Sequence, residues 1–471
     1  MSIKFYNTLG RKKIDFKPIL ENEVSLYTCG PTVYNYAHIG NLRTYIFEDI
    51  LKKTLEFNGL KVKHVMNITD VGHLESDSDT GEDKMVLGAQ REGKTVWEIA
   101  RFYEEKFFED CVKLNIAAPN ISCRATEHIQ QMIKFIRKLE EKGYTYISNG
   151  NVYFSIDKFP SYSDFAGLNM EGLEAGKRIE IDEGKRNPMD FVLWFTNSKF
   201  KNQIMQWDSP WGRGFPGWHL ECSVMSMEYL GEKIDIHCGG VDHIPIHHTN
   251  EIAQSESATG KKWVNYWIHG EFLVLQDGKM SKSKGEFLTV SLLEEKGYEP
   301  IHYRFMCLLS RYRKQLVFSY MALDKAKQEY ELLKEKIKRV YESLSSNEGL
   351  IDNVDTKKYI EKFREQINDD LNTPNGITVI YEVLKDKELN AQEKIFIINE
   401  FDKVLSLDLM NFSKEKSQSD IDEERINKLL IERAEARKNK DWSKADEIRD
   451  LLEKMNIEII DNKEVSTWKF K

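Results

Sequence analysis

The sequence predicts an α/β fold built around a parallel β-sheet. The first observation is a strand, helix and strand in succession near the N-terminus, over residues 24–28, 41–57 and 61–68. Two strands joined through a helix lie side by side in parallel, so this unit predicts a parallel sheet. The second observation is that the pattern resumes with a helix around Cys222, the strand KIDIHCGG and a further helix from about His247.

The stretch between these two parts is predicted to be an insertion in the α/β domain. A helix over 126–142, with Thr126 as its N-cap, ends at Gly143. A hairpin follows, in which YTYIS and NVYFSI flank Asn149-Gly150. Residues 155–215 are rich in turn formers and charged side chains and show no strand–helix period.

The chain changes character near Leu323. Apolar residues from Leu323 to Leu344 recur at alternating steps of three and four, which predicts one long helix with an apolar seam. More helix is expected to about Leu407, followed by the polar linker FSKEKSQSD and a small separate unit. The expected domains are the two halves of the α/β domain at 1–120 and 211–320, the insertion at 121–210, a helical bundle at 321–411 and a terminal unit at 412–471.

The composition is that of a soluble globular protein, with 41% hydrophobic and 31% charged residues in 471. No apolar run approaches the roughly 20 residues that span a membrane, so we expect no membrane segment. The N-terminal stretch MSIKFYNTLGRKK lacks the apolar core of a secretory signal. Six irregularly spaced cysteines do not indicate a disulfide framework, and we expect a cytoplasmic protein. The net charge of −9 argues mildly against a nucleic-acid partner, although a local basic face would suffice for one.

Several side chains suited to a metal site occur at the ends of α/β elements, where such sheets bind ligands. They are Cys29 in TCGP, Cys222 in GWHLECS, Cys238 in IHCGG, and His247 and Glu251 in HHTNE. His247 and Glu251 are four residues apart and so share one helical face. Thiolate, imidazole and carboxylate are ligands that zinc prefers. Spacing alone leaves the set open, because Cys238 could replace Glu251, His248 could replace His247, and each cysteine could be an ordinary buried residue.

The run His38-Ile39-Gly40-Asn41 opens the first predicted helix. A helix N-terminus offers unpaired N–H groups and a partial positive charge, which favour phosphate binding. His38 could donate to phosphate oxygens, and Gly40 would let a nucleotide base approach the backbone. The alternative interpretation is a capped helix of the core.

A lysine-rich stretch, KMSKSKG, begins at Lys279 and includes Lys282. Its three lysines stand two or three residues apart between two glycines, a pattern that cannot form a packed element. It predicts either a solvated loop or a cationic loop that covers a polyphosphate and stabilises charge in a transition state.

The run HIGN followed by KMSKS resembles the signature pair of the class I aminoacyl-tRNA synthetases. The blocks CGPTVYNYAHIGN, NITDVGH, KRNPMDFVLW, GWHLECS, DIHCGGVD, HHTNEIAQSE, KMSKSKG and DDLNTP resemble those of the cysteinyl-tRNA synthetase family, in its order and across essentially the whole chain. Two positions depart from the family pattern: Asn41 stands where a second His is usual, and Phe195 where Lys is usual. The resemblance implies a Rossmann-type catalytic domain with an insertion, then a helical bundle and a C-terminal anticodon-binding unit.

The resemblance also implies roles for individual residues. One zinc ion that contacts the substrate would be held by Cys29, Cys222, His247 and Glu251. ATP, with Mg²⁺, would be bound by His38, Gly40, Asn41, Lys279 and Lys282, of which all but Gly40 would act in catalysis. The amino-acid pocket would be lined by Thr69, Trp218, His237 and Asp242. Asp242 would pair with the substrate ammonium, whereas ordinary core packing is the alternative for Trp218.

The implied reaction has two steps and no covalent enzyme intermediate. The carboxylate of L-cysteine attacks the α-phosphate of ATP, and the resulting cysteinyl-adenylate transfers its cysteinyl group to the terminal adenosine of tRNA(Cys). We expect the terminal unit to bind tRNA and the protein to be a monomer. The residues expected to bind tRNA are Arg433, Arg437, Lys440 and Lys444 on one helical face, with Trp442 and Trp468 stacking on bases. A solvated charged face is the alternative.

Two other functions fit parts of the sequence. One is a cysteine ligase on the same scaffold that acylates a non-tRNA amine, such as an amino sugar. It would not need the helices of 323–471, and their presence argues against it. The other is a non-catalytic tRNA-binding relative, which would be expected to lack the lysine stretch or the metal ligands.

Overall fold

The computed structural model describes residues 2–72, 84–167, 184–197, 204–275, 287–344, 354–412, 426–437, 441–454, 457–461 and 466–470. The chain divides into two compact units, Met1–Asp408 and Leu409–Lys471. Within the described residues, no helix is both long and apolar enough to cross a membrane.

The larger unit contains a central sheet, an inserted sheet and a set of helices. Its strands are β1 (Lys4–Asn7), β2 (Lys12–Asp15), β3 (Glu23–Thr28), β4 (Lys61–Ile68), β5 (Ile121–Arg124), β6 (Thr145–Ser148), β7 (Asn151–Phe154), β8 (Phe191–Phe195), β9 (Phe215–Pro216), β10 (Ile234–Gly240), β11 (Val264–Gly270), β12 (Leu273–Leu275) and β13 (Leu316–Phe318). Its helices are α1 (Ile39–Phe57), α2 (Lys84–Glu92), α3 (Val96–Lys113), α4 (Ile129–Glu141), α5 (Trp218–Leu230), α6 (Thr249–Thr259), α7 (Val290–Glu295), α8 (Pro300–Leu308), α9 (Tyr320–Glu342), α10 (Val354–Asn368), α11 (Thr373–Lys385) and α12 (Ala391–Leu405).

The central sheet has five parallel strands in the order β11-β10-β3-β4-β5. Strand β10 is buried along nearly its whole length, as expected for a strand covered on both faces. From β3 the chain adds strands on one side, and from β10 it adds them on the other. The carboxyl ends of β3 and β10 therefore border a crevice of the kind in which open α/β sheets bind ligands. The predicted α/β class with a parallel sheet is confirmed.

The insertion forms a four-stranded antiparallel sheet in the order β6-β7-β8-β9. Asn149 and Gly150 connect β6 to β7 with φ of 49° and 88°, the left-handed conformation that a two-residue hairpin turn requires. The helix predicted over 126–142 begins as a 3₁₀ turn, Ala125–His128, and continues as α4. The prediction that Thr126 caps this helix is wrong, because its backbone N–H and its hydroxyl both donate to the Asp70 carboxylate.

The predicted long helix is α9, and the first part of its apolar seam is buried. The buried side chains are Leu323, Ala326, Tyr330, Leu333 and Ile337. Leu344, at the far end of the predicted seam, lies beyond the helix and is exposed.

The smaller unit pairs two helices, α13 (426–437) and α14 (Trp442–Lys454), with an antiparallel ribbon of β14 (Ile457–Asp461) and β15 (Ser466–Phe470). Its core consists of Ile426, Leu430, Ile448, Leu452 and Ile457.

The prediction of one basic helical face in this unit is wrong. Arg433 and Arg437 lie on α13, whereas Lys444 lies on α14, and Lys440 falls outside the described residues. Arg433 is buried rather than solvated. Trp442 is exposed, as predicted, but Trp468 packs against the core and donates its indole N–H to the Asn427 side chain at 3.1 Å. The domain limits given above stay a prediction.

Candidate active site and metal centre

A cavity of about 410 Å³ opens at the crevice between β3 and β10. Of the side chains that the sequence predicts to be functional, those lining it are Cys29, His38, Asn41, Trp218, Cys222, Asp242 and His247. Thr69, His237 and Glu251 are buried and do not line it. Lys279 and Lys282 fall outside the described residues. One crevice therefore joins the candidate metal ligands to the first residues of α1.

A tight turn places Cys29 at the base of this cavity. The Cys29 backbone N–H donates to the Cys238 carbonyl at 3.2 Å, and the Gly30 N–H donates to Asn67 Oδ1 at 2.9 Å. A Cβ atom at Gly30 would lie 1.6 Å from the Asn67 carbonyl oxygen, so only glycine allows the chain to pass β4 here. The Cys29 side chain is buried, and its sulfur lies 3.3 Å from His248 Nε2.

Cys222 reaches the same point from α5. The helix begins directly after Gly217, where a Cβ atom would lie 2.0 Å from the Val192 carbonyl oxygen. This close approach to β8 fixes the start of α5. Cys222, in the second turn, is then 1% exposed and lines the cavity.

His247 and Glu251 come from a helix whose first turn is widened. Residues Ile244–His248 form a π turn that continues into α6, a feature often found at functional sites. The spacing of four residues still brings His247 Nε2 to within 2.8 Å of Glu251 Oε1, as the sequence predicts. Both atoms are buried and neither makes a hydrogen bond to the described part of the chain.

Two overlapping groups of four side chains could hold a metal ion. The first is Cys29, Cys222, His247 and Glu251, and the second is Cys29, His237, His248 and Glu251. In each group the candidate ligand atoms lie within 4.8 Å of one another. Cys238 belongs to neither, so the sequence-based alternative of Cys238 in place of Glu251 is not supported among the described residues.

Hydrogen bonding distinguishes the two groups. In the second group, His237 Nε2 lies 2.8 Å from Glu251 Oε2, and His248 Nε2 lies 3.3 Å from Cys29 Sγ. His248 Nδ1 is also engaged, at 2.7 Å from His269 Nε2. Glu251 belongs to both groups, but only the first group holds the unpartnered His247 Nε2 and supplies a second sulfur. A buried polar atom without a partner is costly, and a cation bound to the first group would remove that cost.

The charges in the first group favour a cation. Burial opposes ionisation of Cys222, yet the hydrogen bond with the Cys29 thiol and the nearby His247 lower the pKa of Cys222 to about 6. Burial likewise opposes ionisation of Glu251, but His237 and His247 lower the pKa of Glu251 to about 2. The resulting anions overcome the effect of burial on His247 and raise the pKa of His247 to about 10. The site therefore stabilises positive charge where His247 faces Glu251, and its donor set fits zinc.

The four predicted amino-acid contacts fall into two pairs. Trp218 stacks on the His247 ring with centroids 3.9 Å apart, and Asp242 lies exposed on the rim of the cavity. Thr69 and His237 lie behind the wall. The Thr69 hydroxyl donates to Glu221 Oε2 at 2.9 Å, and His237 is held by Glu251.

The first residues of α1 adopt the geometry of a capped helix. His38 is the N-cap, and its Nδ1 accepts the Asn41 backbone N–H at 3.1 Å. Because Nδ1 is an acceptor, the proton of the neutral ring is on Nε2, which is the donor nitrogen of that ring. A Cβ atom at Gly40 would lie 2.9 Å from His38 Nδ1, so this glycine makes room for the His38 ring.

Sequence reasoning missed a set of supporting side chains. His269 continues the contact from His248 and lies 2.7 Å, through Nδ1, from the Thr8 hydroxyl. His219 Nδ1 lies 2.9 Å from His247 Nδ1, and so orients that ring. Six of the 11 histidines fall between residues 219 and 269, and this concentration is the signal that could have revealed them.

Comparison with known families agrees with this geometry. A family model described as the tRNA synthetases class I (C) catalytic domain matches residues 15–328. Methionyl-tRNA synthetase of Mycobacterium tuberculosis, solved with methionyl-adenylate, has a similar fold, with a TM-score of 0.55 and 15% identity over 83% of this chain and 90% of that one. A putative arginyl-tRNA synthetase from Campylobacter jejuni is similar over 83% of this chain and 94% of that one, with a TM-score of 0.51 and 15% identity. The parallel sheet and its crevice are those of a class I aminoacyl-tRNA synthetase.

The remaining comparisons identify the family within this class of synthetases. A DALR domain model matches residues 362–409, and a model of the cysteinyl-tRNA ligase anticodon binding domain matches 423–468. The cysteine–tRNA ligase of Treponema denticola is 50% identical over 490 residues, covering 100% of both chains. That of Borrelia garinii subsp. bavariensis is 47% identical over 476 residues, covering 98% of both. The chain belongs to the cysteine–tRNA ligase family.

Proposed function

We propose that this enzyme activates L-cysteine with ATP, forming cysteinyl-adenylate, and transfers the cysteinyl group to the 3′ end of tRNA(Cys). Family membership supports tRNA charging with cysteine. The observation that carries the finer proposal is that Cys29, Cys222 and His247 line the same cavity as His38 and Asn41. Recognition of a thiol and of a nucleotide would thus occur side by side, where the cysteine carboxylate and the α-phosphate must meet.

The proposed metal is one zinc ion held by Cys29, Cys222, His247 and Glu251. When bound, zinc would coordinate the thiolate of the substrate cysteine, whereas the hydroxyl of serine stays protonated and is a poor ligand. Cysteine and serine are near-isosteres that a pocket of fixed shape separates poorly. A metal ion that binds the thiolate of cysteine and not the hydroxyl of serine would separate them effectively. His219 and Trp218 hold the His247 ring from two sides, and so keep that ligand in place.

The other predicted residues act by positioning and charge. The exposed Asp242 carboxylate on the cavity rim would accept the substrate ammonium, with Trp218 as the neighbouring wall. Thr69 and His237 would support the pocket from behind through Glu221 and Glu251.

The residues of the two signature motifs would bind ATP, which enters with Mg²⁺. His38 would donate through Nε2 to the phosphates, Asn41 would contact ATP, and Gly40 would lie against the nucleotide. Lys279 and Lys282 would stabilise the charge that develops on the α- and β-phosphates. No covalent enzyme intermediate is required.

The smaller unit is proposed to bind the anticodon region of tRNA(Cys). The match of residues 423–468 to an anticodon binding domain and the exposed indole of Trp442 support this role. The irregular cysteine spacing supports a location in the cytoplasm. We also propose that the enzyme is a monomer, with domains at 1–120, 121–210, 211–320, 321–411 and 412–471.

Three measurements on the purified protein test the proposal. Pyrophosphate exchange with ATP should depend on cysteine and should be negligible with serine. Charging should require tRNA(Cys), while an amino sugar should not accept the cysteinyl group. Metal analysis should give one zinc per chain. Exchange with serine at a rate similar to that with cysteine, or acylation of the amino sugar instead of tRNA, would refute the proposed substrate assignment.

A further inference from the structure

Arg43 lies on α1, two residues after Asn41, and is 4% exposed. Its guanidinium donates to backbone carbonyls from two other segments of the chain. The acceptors are the carbonyl oxygens of Glu271 (2.6 Å), Phe272 (2.5 Å), Arg311 (3.5 Å) and Lys314. A planar guanidinium with five N–H donors can satisfy several carbonyls at once, which a lysine ammonium cannot do in the same geometry.

These carbonyls stand at the entrance of two strands. β12 and β13 pair in parallel with Leu273 opposite Leu316, and the Glu271 N–H donates to the Tyr312 carbonyl at 2.8 Å just before them. Arg43 therefore caps the start of both strands and fixes them against α1. Burial lowers the pKa of Arg43, and the carbonyl dipoles around the guanidinium stabilise its positive charge.

The chain that leaves β12 returns to the same helix. β12 ends at Leu275, and the next described residue is Phe287, whose ring lies edge-on to His38 with centroids 6.0 Å apart. The Ile39 N–H then donates to the Leu288 carbonyl at 2.9 Å. The described residues on either side of 276–286 thus contact the first two turns of α1.

We propose that Arg43 is a positioning residue for adenylate formation. By fixing the start of β12, it sets the position of Leu273, which packs beside Gly40, relative to His38. The inference rests on the proposed function, in which His38 and Asn41 bind ATP at the start of α1. Reactions of this kind depend on placement so closely that a shift of about 1 Å can lower the rate about 100-fold.

The test compares Arg43→Gln and Arg43→Lys with a matched control, Arg304→Lys. Arg304 is also fully buried and donates to three carbonyls, those of Leu405, Leu114 and Asn115, as well as to Asp49. Unlike Arg43, it contacts neither flank of 276–286. All three variants should lose thermal stability, so stability alone does not separate the two roles.

The separating readouts are kcat for cysteine-dependent pyrophosphate exchange, the Kd for cysteine and the zinc content. For Arg43→Gln, kcat should fall about 10- to 100-fold, with cysteine affinity and zinc content within about twofold of the unsubstituted enzyme. Arg43→Lys should be intermediate, because it keeps the charge but not the planar fork. Arg304→Lys should keep kcat within about threefold, as expected of a residue with a purely structural role.

An unchanged kcat in Arg43→Gln, or a kcat that falls only in step with zinc content, would overturn the inference while leaving the proposed function intact. If Arg43→Gln does not fold, Arg43→Lys decides the question by the same readouts. If the unsubstituted enzyme gives no cysteine-dependent exchange, the proposed function fails first and the inference fails with it.

Discussion

His247 Nε2 and Glu251 Oε1 lie 2.8 Å apart in a fully buried site, and yet neither atom makes a hydrogen bond within the described part of the chain. A cation bound between these two side chains would give both atoms a partner. The sulfurs of Cys29 and Cys222 lie within 4.8 Å of both. This relationship favours the four side chains as the candidate metal site and carries the first prediction.

Cys222→Ser should lose bound zinc and cysteine activation together. The substitution replaces a thiolate, already favoured by a pKa of about 6, with a hydroxyl that does not ionise at neutral pH. Cys238→Ser is the matched control, since Cys238 is also buried beside the crevice but belongs to neither metal-binding group. Zinc content and pyrophosphate exchange are measured on both. Full zinc occupancy with normal exchange in Cys222→Ser would disprove the ligand set. Metal loss in Cys238→Ser would mean that Cys238 belongs to the metal site.

Lys282→Ala should slow adenylate formation far more than it weakens cysteine binding. A cation that contacts the phosphates mainly as charge redistributes contributes to the transition state, and losing such a contact costs about 3–4 kcal/mol, or about 10²–10³ in rate. Pre-steady-state exchange gives the rate, and tryptophan fluorescence on titration with cysteine gives the affinity. An exchange rate within twofold of the unsubstituted enzyme would exclude this role for Lys282.

How much of this site the sequence could reveal depends on how local each feature is. The spacing of His247 and Glu251 predicts a shared helical face, and the structure shows both side chains meeting, because a helix fixes neighbours four residues apart. The strand–helix–strand pattern likewise predicts β3, α1 and β4, and hence the parallel sheet. The helical spacing of apolar side chains predicts the start of α1 at Asn41, two residues from the observed start at Ile39, because that spacing is also a local feature.

Features set by distant partners could not be predicted. β5 has only four residues and gains its place in the sheet by pairing with β4, so no strand was expected there. Thr126 is drawn away from capping by Asp70, more than fifty residues earlier in the chain. In the smaller unit, charge spacing suggested one face, whereas residues 426–437 and Trp442–Lys454 are separate helices and Arg433 is buried. Periodicity predicts that a helix forms, but it does not predict which of the charged side chains the tertiary fold buries.

Asp110→Asn should stabilise the enzyme at neutral pH and not in acid. Asp110 is 5% exposed, and burial, only partly offset by Lys113, raises the pKa of Asp110 to about 6. The ordinary pKa of an aspartate is 3.8, so between pH 3.8 and about pH 6 the native state binds the Asp110 proton more tightly than the unfolded chain does. Stability therefore falls as pH rises through this window. Above it, the ionised carboxylate destabilises the fold by up to about 3 kcal/mol.

Urea denaturation of both proteins, repeated from pH 4 to pH 8, measures this effect. The stability gained by Asp110→Asn should be close to zero at pH 4 and should level off above pH 6.5. Glu109→Gln is the control, because the neighbouring Glu109 is exposed and its removal should change stability little at any pH. A constant difference between Asp110→Asn and the unsubstituted protein across the range would contradict the assignment.

Deletion of the residues after Phe412 should separate the two half-reactions. The cavity, both signature motifs and the proposed metal ligands lie before residue 290, within a compact unit that ends at Asp408. Cysteine-dependent pyrophosphate exchange should therefore stay nearly intact in the shortened protein. Charging should fall by orders of magnitude in kcat/KM through weaker tRNA binding. In the intact enzyme that binding should weaken as salt increases, because phosphate contacts release counterions.

Both half-reactions are measured on the same preparation of the shortened protein, after circular dichroism and thermal melting have shown that it is folded. Equal losses in exchange and in charging would mean that the terminal unit supports the catalytic fold and does not read tRNA.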